Sequence, residues 1–335
     1  MTAIPKPQHD LVAKIDKAHE SKLEKPRAHL GCSGLGHHCE RYIWLNFRWA
    51  VIEKFSGRML RLFRRGQLEE EQIVADLRMS GINIWGDQQR VDFGSHVSGS
   101  VDGIIESGVP GARTTRHVAE FKTHSLKSFK DLVKDGVQKS KPMHYAQMQL
   151  YMLGLDIDRA LYVAICKNDD TYYTERVKLD TEVARGLVDK GHRLSLSDRM
   201  PPPVSTNPSW YQCKMCSAYD FCHHTKLTQE VNCRTCAHST SKDDSTFYCE
   251  KHEGTIPYDY QITGCDGHTL HPDLVPWDLN SGSGDKYVAS YDVDGSNVLN
   301  GEGHFKSKEL VANAKACTMP ELINARALFN GEIVG

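Results

Sequence analysis

HVSGSVDGII, residues 96–105, and RHVAEFKTH, residues 116–124, flank a Gly/Pro turn at residues 108–111. Both runs are short and rich in Val, Ile and Phe, so they predict the two strands of a hairpin. Asp102 is expected late in the first strand, Glu120 and Lys122 in the second. Side chains alternate along a strand, so Glu120 and Lys122 share a face with Val118, while Ala119 and Phe121 point the other way. Two carboxylates and one ammonium are thereby brought to an otherwise apolar sheet surface, where unpaired charge is costly. A hard divalent cation suits two carboxylates, and Mg²⁺ takes one or two of them with water and phosphate oxygens. Lys122 is then placed to orient or deprotonate an attacking water, a layout for metal-assisted hydrolysis of a phosphodiester. The plainer reading is a structural hairpin with an ordinary salt bridge.

The chain around this stretch has 335 residues, enough for one large domain and a smaller one. Its 39% apolar and 25% charged residues fit a globular protein. No apolar run approaches a membrane span, and the polar N-terminus lacks a signal-peptide core, so a cytoplasmic protein is expected. The eleven cysteines of such a chain argue for metal ligands over disulfides. A net charge of −2 excludes a globally basic nucleic-acid binder. DNA contact must come from local patches, with residues 58–65 (RMLRLFRR) and 127–141 (KSFKDLVKDGVQKSK) the candidates. Either patch also reads as a solvated helix face.

Residues 8–25 predict a helix with Leu11, Ile15 and Ala18 on one face. Ser33, Gly36, Cys39, Arg41 and Trp44 form an S-x-x-G-x-x-C-x-R-x-x-W array, with Cys39 at the start of an aromatic helix. Residues 59–65 read as helix, and Gly66 separates it from a second helix that Gly81 ends. On that second helix Ile73, Val74 and Leu77 follow Glu70 by three, four and seven residues, so they share its face. Glu69 and Glu71 fall to either side. Glu70 is therefore the acid aimed at the core, in need of a partner. Residues 141–154 predict a helix with a core stripe of Ala146, Leu150 and Leu153 and a neighbouring polar stripe of His144, Gln147 and Tyr151. Strands are expected at 159–165 and 172–179, a helix at 181–195, and a proline-rich arm at 199–210 that is neither.

Two cysteine groups follow. Cys213-x₂-Cys216-x₅-Cys222 supplies three thiolates that need a fourth from elsewhere in the chain, where Cys32 and Cys39 are the N-terminal candidates. Cys233-x₂-Cys236-x₁₂-Cys249-x₁₅-Cys265 spaces four ligands for zinc along a polar, turn-rich segment short of apolar residues. His238, His252, His268 or His271 can replace a cysteine there. Cys166 and Cys317 are left as buried or free thiols. The tail, 276–335, carries Gly/Ser/Asn-rich stretches, a helix at 319–328 and no chemical motif. It is either an appendage or a segment for a protein partner.

Asp-Gly-Ile-Ile followed by Ala-Glu-Phe-Lys resembles the PD-(D/E)xK nuclease signature, and the likeness extends over roughly residues 30–225. Gly66 and Glu70 resemble the lambda-exonuclease-like branch. The early His of RecB-like members has no counterpart here, although Gln147 and Tyr151 match their Q-x-x-x-Y motif. Cys39 with Cys213, Cys216 and Cys222 resembles the iron–sulfur nucleases of the CRISPR adaptation and AddB type, which implies a [4Fe–4S] cluster, with zinc the rival metal. The resemblance implies a restriction-endonuclease-like α/β core, a mixed central sheet flanked by helices, and DNA as partner, as single strands or duplex ends. It implies Mg²⁺ or Mn²⁺ held by Asp102, Glu120, Glu70 and the Phe121 carbonyl. Lys122 would assist the water, with Gln147 and Tyr151 beside the DNA strand or the catalytic lysine. A phage-encoded origin is expected on the same basis. The expected order is a helical arm (1–29), the nuclease domain (30–230), a zinc module (231–275) and the tail (276–335). The rival classes are a non-cleaving nucleic-acid scaffold and an enzyme with redox-active CxxC thiols.

Overall fold

Strand His117–His124 is inaccessible to solvent for most of its length and is paired on both sides. A computed structural model describes residues 10–22, 25–85, 89–280 and 287–329. The chain divides into two units, each assembled from separated segments. One comprises residues 1–25, 53–92 and 99–187, the other 26–52, 93–98 and 188–335.

The first unit is mixed α/β. Its five-stranded sheet runs Asn83–Trp85, Gly103–Ser107, His117–His124, Arg159–Cys166, Tyr172–Lys178. All neighbours in it are antiparallel except His117–His124 with Arg159–Cys166. That parallel pair needs a long crossover, which helices Leu126–Ser140 and Pro142–Leu155 provide. Alternation decides what the central strand offers each face. Ala119 and Phe121 join Leu161, Val163 and Ile165 in a core closed by Ile73 and Leu77 of helix Gly57–Met79. Glu120, Lys122 and His124 occupy the opposite face.

Three sequence expectations change here. Residues 96–105 are not one strand: Val97–Ser100 ends, Val101 and Asp102 bend, and Gly103–Ser107 begins. The reason is Asp102 itself. Gly103 pairs with Ala119, so continued pairing would bring backbone to the Phe121 N–H, but Asp102 Oδ2 accepts that N–H instead at 2.8 Å. Nor does Gly66 separate two helices. Gly57–Met79 is continuous, capped by Ser56, and ended by Ser80 and by Gly81 at φ 85°. A single helical glycine costs about 1 kcal/mol relative to Ala, too little to break a helix anchored by Ile73 and Leu77. The described N-terminal helix is Asp10–Glu20, and Leu11 and Ile15 on its apolar face are exposed. Polar residues dock it instead. Glu20 accepts from the Gly57 N–H at 2.7 Å and Asp16 pairs with Arg61. A Cβ on Gly57 would lie 2.4 Å from the Asp16 Cα, so the close approach requires glycine.

In the second unit, Trp44, Leu45 and Ala50 pack with Ala218, Phe221 and Leu274, with Cys216 and Cys222 at the margin. This core brings helix Glu40–Phe47, capped by Cys39, to the cysteine loop. Buried Arg234 ties further segments together. Its guanidinium donates to the Phe47 and Ala28 carbonyls and to Gln261, and stacks on Trp49 at 3.7 Å and Phe247 at 4.3 Å. Short strands Ser239–Ser241, Phe247–Cys249 and Gly254–Thr255 form one small sheet. The tail is more ordered than its composition suggests. Strands Ala289–Val293 and Ser296–Asn300 and helix Ser307–Cys317 share a core of Tyr291, Val298, Phe305 and Leu310. Helix Pro320–Phe329 follows, near the position expected. Residues 281–286 and 330–335 of the tail, and residues 8, 9, 23 and 24 of the expected first helix, lie outside the described residues. No helix among those described is long and apolar enough to cross a membrane.

Candidate active site

At the C-terminal half of the central strand, Lys122 Nζ forms an ion pair with Glu120, donates to the Phe121 carbonyl at 2.9 Å and lies 3.6 Å from Asp102 Oδ2. The Glu120 side chain is wholly buried, and neither of its oxygens has a hydrogen-bond partner beyond that ion pair. Burial pushes its carboxyl up to about 8, with Asp102 and Glu70 adding to the shift and Lys122 opposing it. Glu70 is pushed up to about 7, by burial first and then by Asp102. At Lys122 burial acts downward, but Glu120, Asp102 and Glu70 outweigh it and hold the ammonium above its ordinary range. Both partners are shifted upward, because one cation cannot neutralise three acids. The helical phase expected for Glu70 is observed. Glu70 feels the Asp102 and Lys122 charges, Glu69 leans toward Arg65 at 3.8 Å, and Glu71 is exposed.

Gln147 and Tyr151 do not form an exposed stripe. They are 7% and 3% exposed, and Gln147 donates to the Tyr151 hydroxyl at 3.2 Å. His144, on the same stripe, accompanies two residues that sequence reasoning left without a role. Tyr162 bonds His144 Nδ1 at 2.8 Å and His124 Nε2 at 2.9 Å, and Tyr162 is the register partner of Glu120. Alternation put His124 on the Lys122 side. The position of Tyr162 depends on parallel register, which one sequence does not reveal.

Cys39, Cys213, Cys216 and Cys222 line one pocket, together with His37 and His223. The rival Cys32 is fully buried and is not part of that lining. Burial raises the Cys222 thiol, while Arg41 opposes this by charge and by a hydrogen bond. Cys233, Cys236, Cys249 and Cys265 line a second pocket. Burial and the neighbouring thiols push Cys233 up to about 12. His252 Nε2 lies 3.8 Å from Cys265 Sγ. The first pocket measures about 20 Å³ and the second about 350 Å³. Among the described residues no group of three or more His, Cys, Asp or Glu side chains is drawn together as a finished metal site. Cys166 and Cys317 are buried thiols.

No family model matches the chain, and neither does any curated protein. Among solved structures, SSO0001 aligns at 16% identity and TM-score 0.39 over 63% of this chain and 93% of its own. An alkaline exonuclease from Laribacter hongkongensis aligns at 16% identity and TM-score 0.35, over 54% of this chain and 90% of its own. Its complex with dAMP aligns at 14% identity with the same score and the same coverage. Likenesses this distant assign no chemistry.

Proposed function

We propose that the protein is a metal-dependent deoxyribonuclease, an exonuclease hydrolysing phosphodiester bonds from DNA ends. The observation that carries this is Glu120, a wholly buried carboxylate whose one partner among the described residues is the Lys122 ammonium, beside Asp102 and Glu70. A buried acid cluster with a charge deficit suits a hard cation, and Asp102, Glu120, Glu70 and the Phe121 carbonyl would hold Mg²⁺ or Mn²⁺. When bound, the ion supplies positive charge that polarises the phosphate and eases ionisation of the attacking water. The chain's own contribution is positional. Asp102 caps the Phe121 N–H, which fixes its carboxylate against the strand. Lys122, paired with Glu120 and close to Asp102, supplies a hydrogen-bond donor and counter-charge at the site. Its ammonium orients the water and offsets charge that develops on the phosphate.

In the same reading Cys39, Cys213, Cys216 and Cys222 hold a [4Fe–4S] cluster, and Cys233, Cys236, Cys249 and Cys265 hold zinc. The support is that each set lines a single pocket, and that burial raises the Cys216 thiol in one and the Cys236 thiol in the other. Either group would staple separated segments, so that its binding energy becomes folding energy. The test of the activity is cleavage of end-labelled single- and double-stranded DNA, linear and circular, with Mg²⁺ or Mn²⁺. Release of short products from linear but not circular DNA is expected. Cleavage of circles at an equal rate would contradict exonuclease action, and no cleavage of any substrate would contradict the reading.

A further inference from the structure

Beside the acid cluster runs a continuous chain of hydrogen bonds. Ser128 Oγ lies 3.2 Å from His124 Nδ1, His124 Nε2 lies 2.9 Å from the Tyr162 hydroxyl, and that hydroxyl lies 2.8 Å from His144 Nδ1. The rings of His144 and Tyr162 are stacked with centroids 5.8 Å apart. His144 is half-buried, and its Nε2 makes no hydrogen bond among the described residues. The chain therefore has a free outer end. Burial and the charges of Lys122 and Lys141 keep both imidazoles neutral.

Proton counting then allows two arrangements. A neutral imidazole carries one N–H and one bare nitrogen, and a tyrosine hydroxyl has one proton. Tyr162 can donate to only one ring, so the other must donate to it. Either both rings are protonated at Nδ1 and His144 offers a bare Nε2 outward, or both are protonated at Nε2 and His144 offers an N–H. The non-bridging oxygens of a phosphodiester only accept hydrogen bonds. With that substrate the second arrangement follows: Ser128 donates to His124, His124 to Tyr162, and Tyr162 to His144 Nδ1.

Resting on the nuclease reading above, the geometry points to His144 as a contact for a DNA phosphate, its Nε2–H aimed by Tyr162, His124 and Ser128 as positioning residues. The charges of Lys122 and Lys141 reach both imidazoles and favour an anion there. Tyr162 also stands opposite Glu120 in register, which couples the phosphate contact to the acid cluster through one strand pair.

The test uses the full-length protein with ¹⁵N-labelled histidine, a short oligothymidylate, and Ca²⁺ in place of Mg²⁺ to slow cleavage. Ring nitrogen shifts report each tautomer directly. With the oligonucleotide bound, both His124 and His144 should be Nε2–H, and His144 Nε2 should shift from its position in the free protein. Tyr162→Phe, which keeps the ring, should release the fixed tautomers and raise KM for DNA about tenfold, with a much smaller change in kcat. His144→Ala should raise KM by a similar factor. Both rings protonated at Nδ1, or a His144 signal unmoved at saturating oligonucleotide, would overturn the assignment. So would unchanged KM in Tyr162→Phe with wild-type cleavage intact, which leaves the nuclease reading standing. A wild-type protein that neither binds nor cleaves DNA overturns the nuclease reading and the contact with it.

Discussion

Glu120 is where the chain concentrates its unfavourable electrostatics, and single substitutions expose this. Without a cation its carboxyl is pushed up to about 8, against about 4.3 for an ordinary glutamate. A raised acid pKa means that the folded state holds its proton more tightly than the unfolded state. This contribution to stability is fully present below the unfolded value and is lost as pH rises toward the folded one. The buried histidines, shifted down, act with the opposite sign up to their ordinary pKa, so the informative quantity is a difference between variants. With chelator present, Glu120→Gln should gain in Tm relative to wild type as pH rises from about 5 to about 8, and Mn²⁺ should shrink the gap. A gap that is flat with pH would show that the buried charge is relieved some other way. Glu70 gives a second test. Glu70→Gln should lower kcat at least about tenfold more than Glu69→Gln, since only Glu70 feels Asp102 and Lys122. Equal losses in a steady-state cleavage assay would place the wrong helical face toward the acids. The sequence made Glu70, Glu120 and Lys122 legible because each position follows from a helix or strand period. Tyr162 was not legible, because parallel register is a tertiary fact.

Among the elements, helix Gly57–Met79 and the break at Asp102 teach the same lesson. Gly66 looks like punctuation, and the run before Asp102 looks like an unbroken strand. Local propensity loses at Gly66 because Ile73 and Leu77 are anchored in the sheet core. Local strand pattern loses at Asp102 because a side-chain carboxylate takes the Phe121 N–H. An ideal Cβ on Gly66 meets nothing within 4 Å. Gly66→Ala should therefore stabilise the protein by about 0.5–1 kcal/mol in denaturant unfolding, with the m-value unchanged. Destabilisation would mean that the glycine is needed for close approach or bending. Pattern also gave the second crossover helix, Pro142–Leu155, and the strands at Arg159–Cys166 and Tyr172–Lys178 nearly to the residue. It gave little of the tail, although strands Ala289–Val293 and Ser296–Asn300 flank Asp294-Gly295, a two-residue hairpin turn with both residues at positive φ.

Over the whole molecule, each unit draws on separated segments. The one sequence signal for this was the cysteine spacing, which matched Cys39 with Cys213, Cys216 and Cys222. Metal analysis of anaerobically purified variants tests the thiol assignments. Cys39→Ala should lose most iron and sulfide, Cys32→Ala should keep both, and Cys249→Ala should lose zinc but keep iron. Iron lost from Cys249→Ala but not from Cys39→Ala would exchange the two assignments. The central claim, though, concerns the acids and Lys122, and cleavage of end-labelled linear DNA by wild type and Lys122→Ala tests it most directly. With Mg²⁺ or Mn²⁺ the wild type should release labelled nucleotides and stop on adding chelator, and Lys122→Ala, equally folded by circular dichroism, should be slower by about a hundred- to a thousandfold. Cleavage that persists in chelator, or that proceeds at the wild-type rate in Lys122→Ala, would contradict the account.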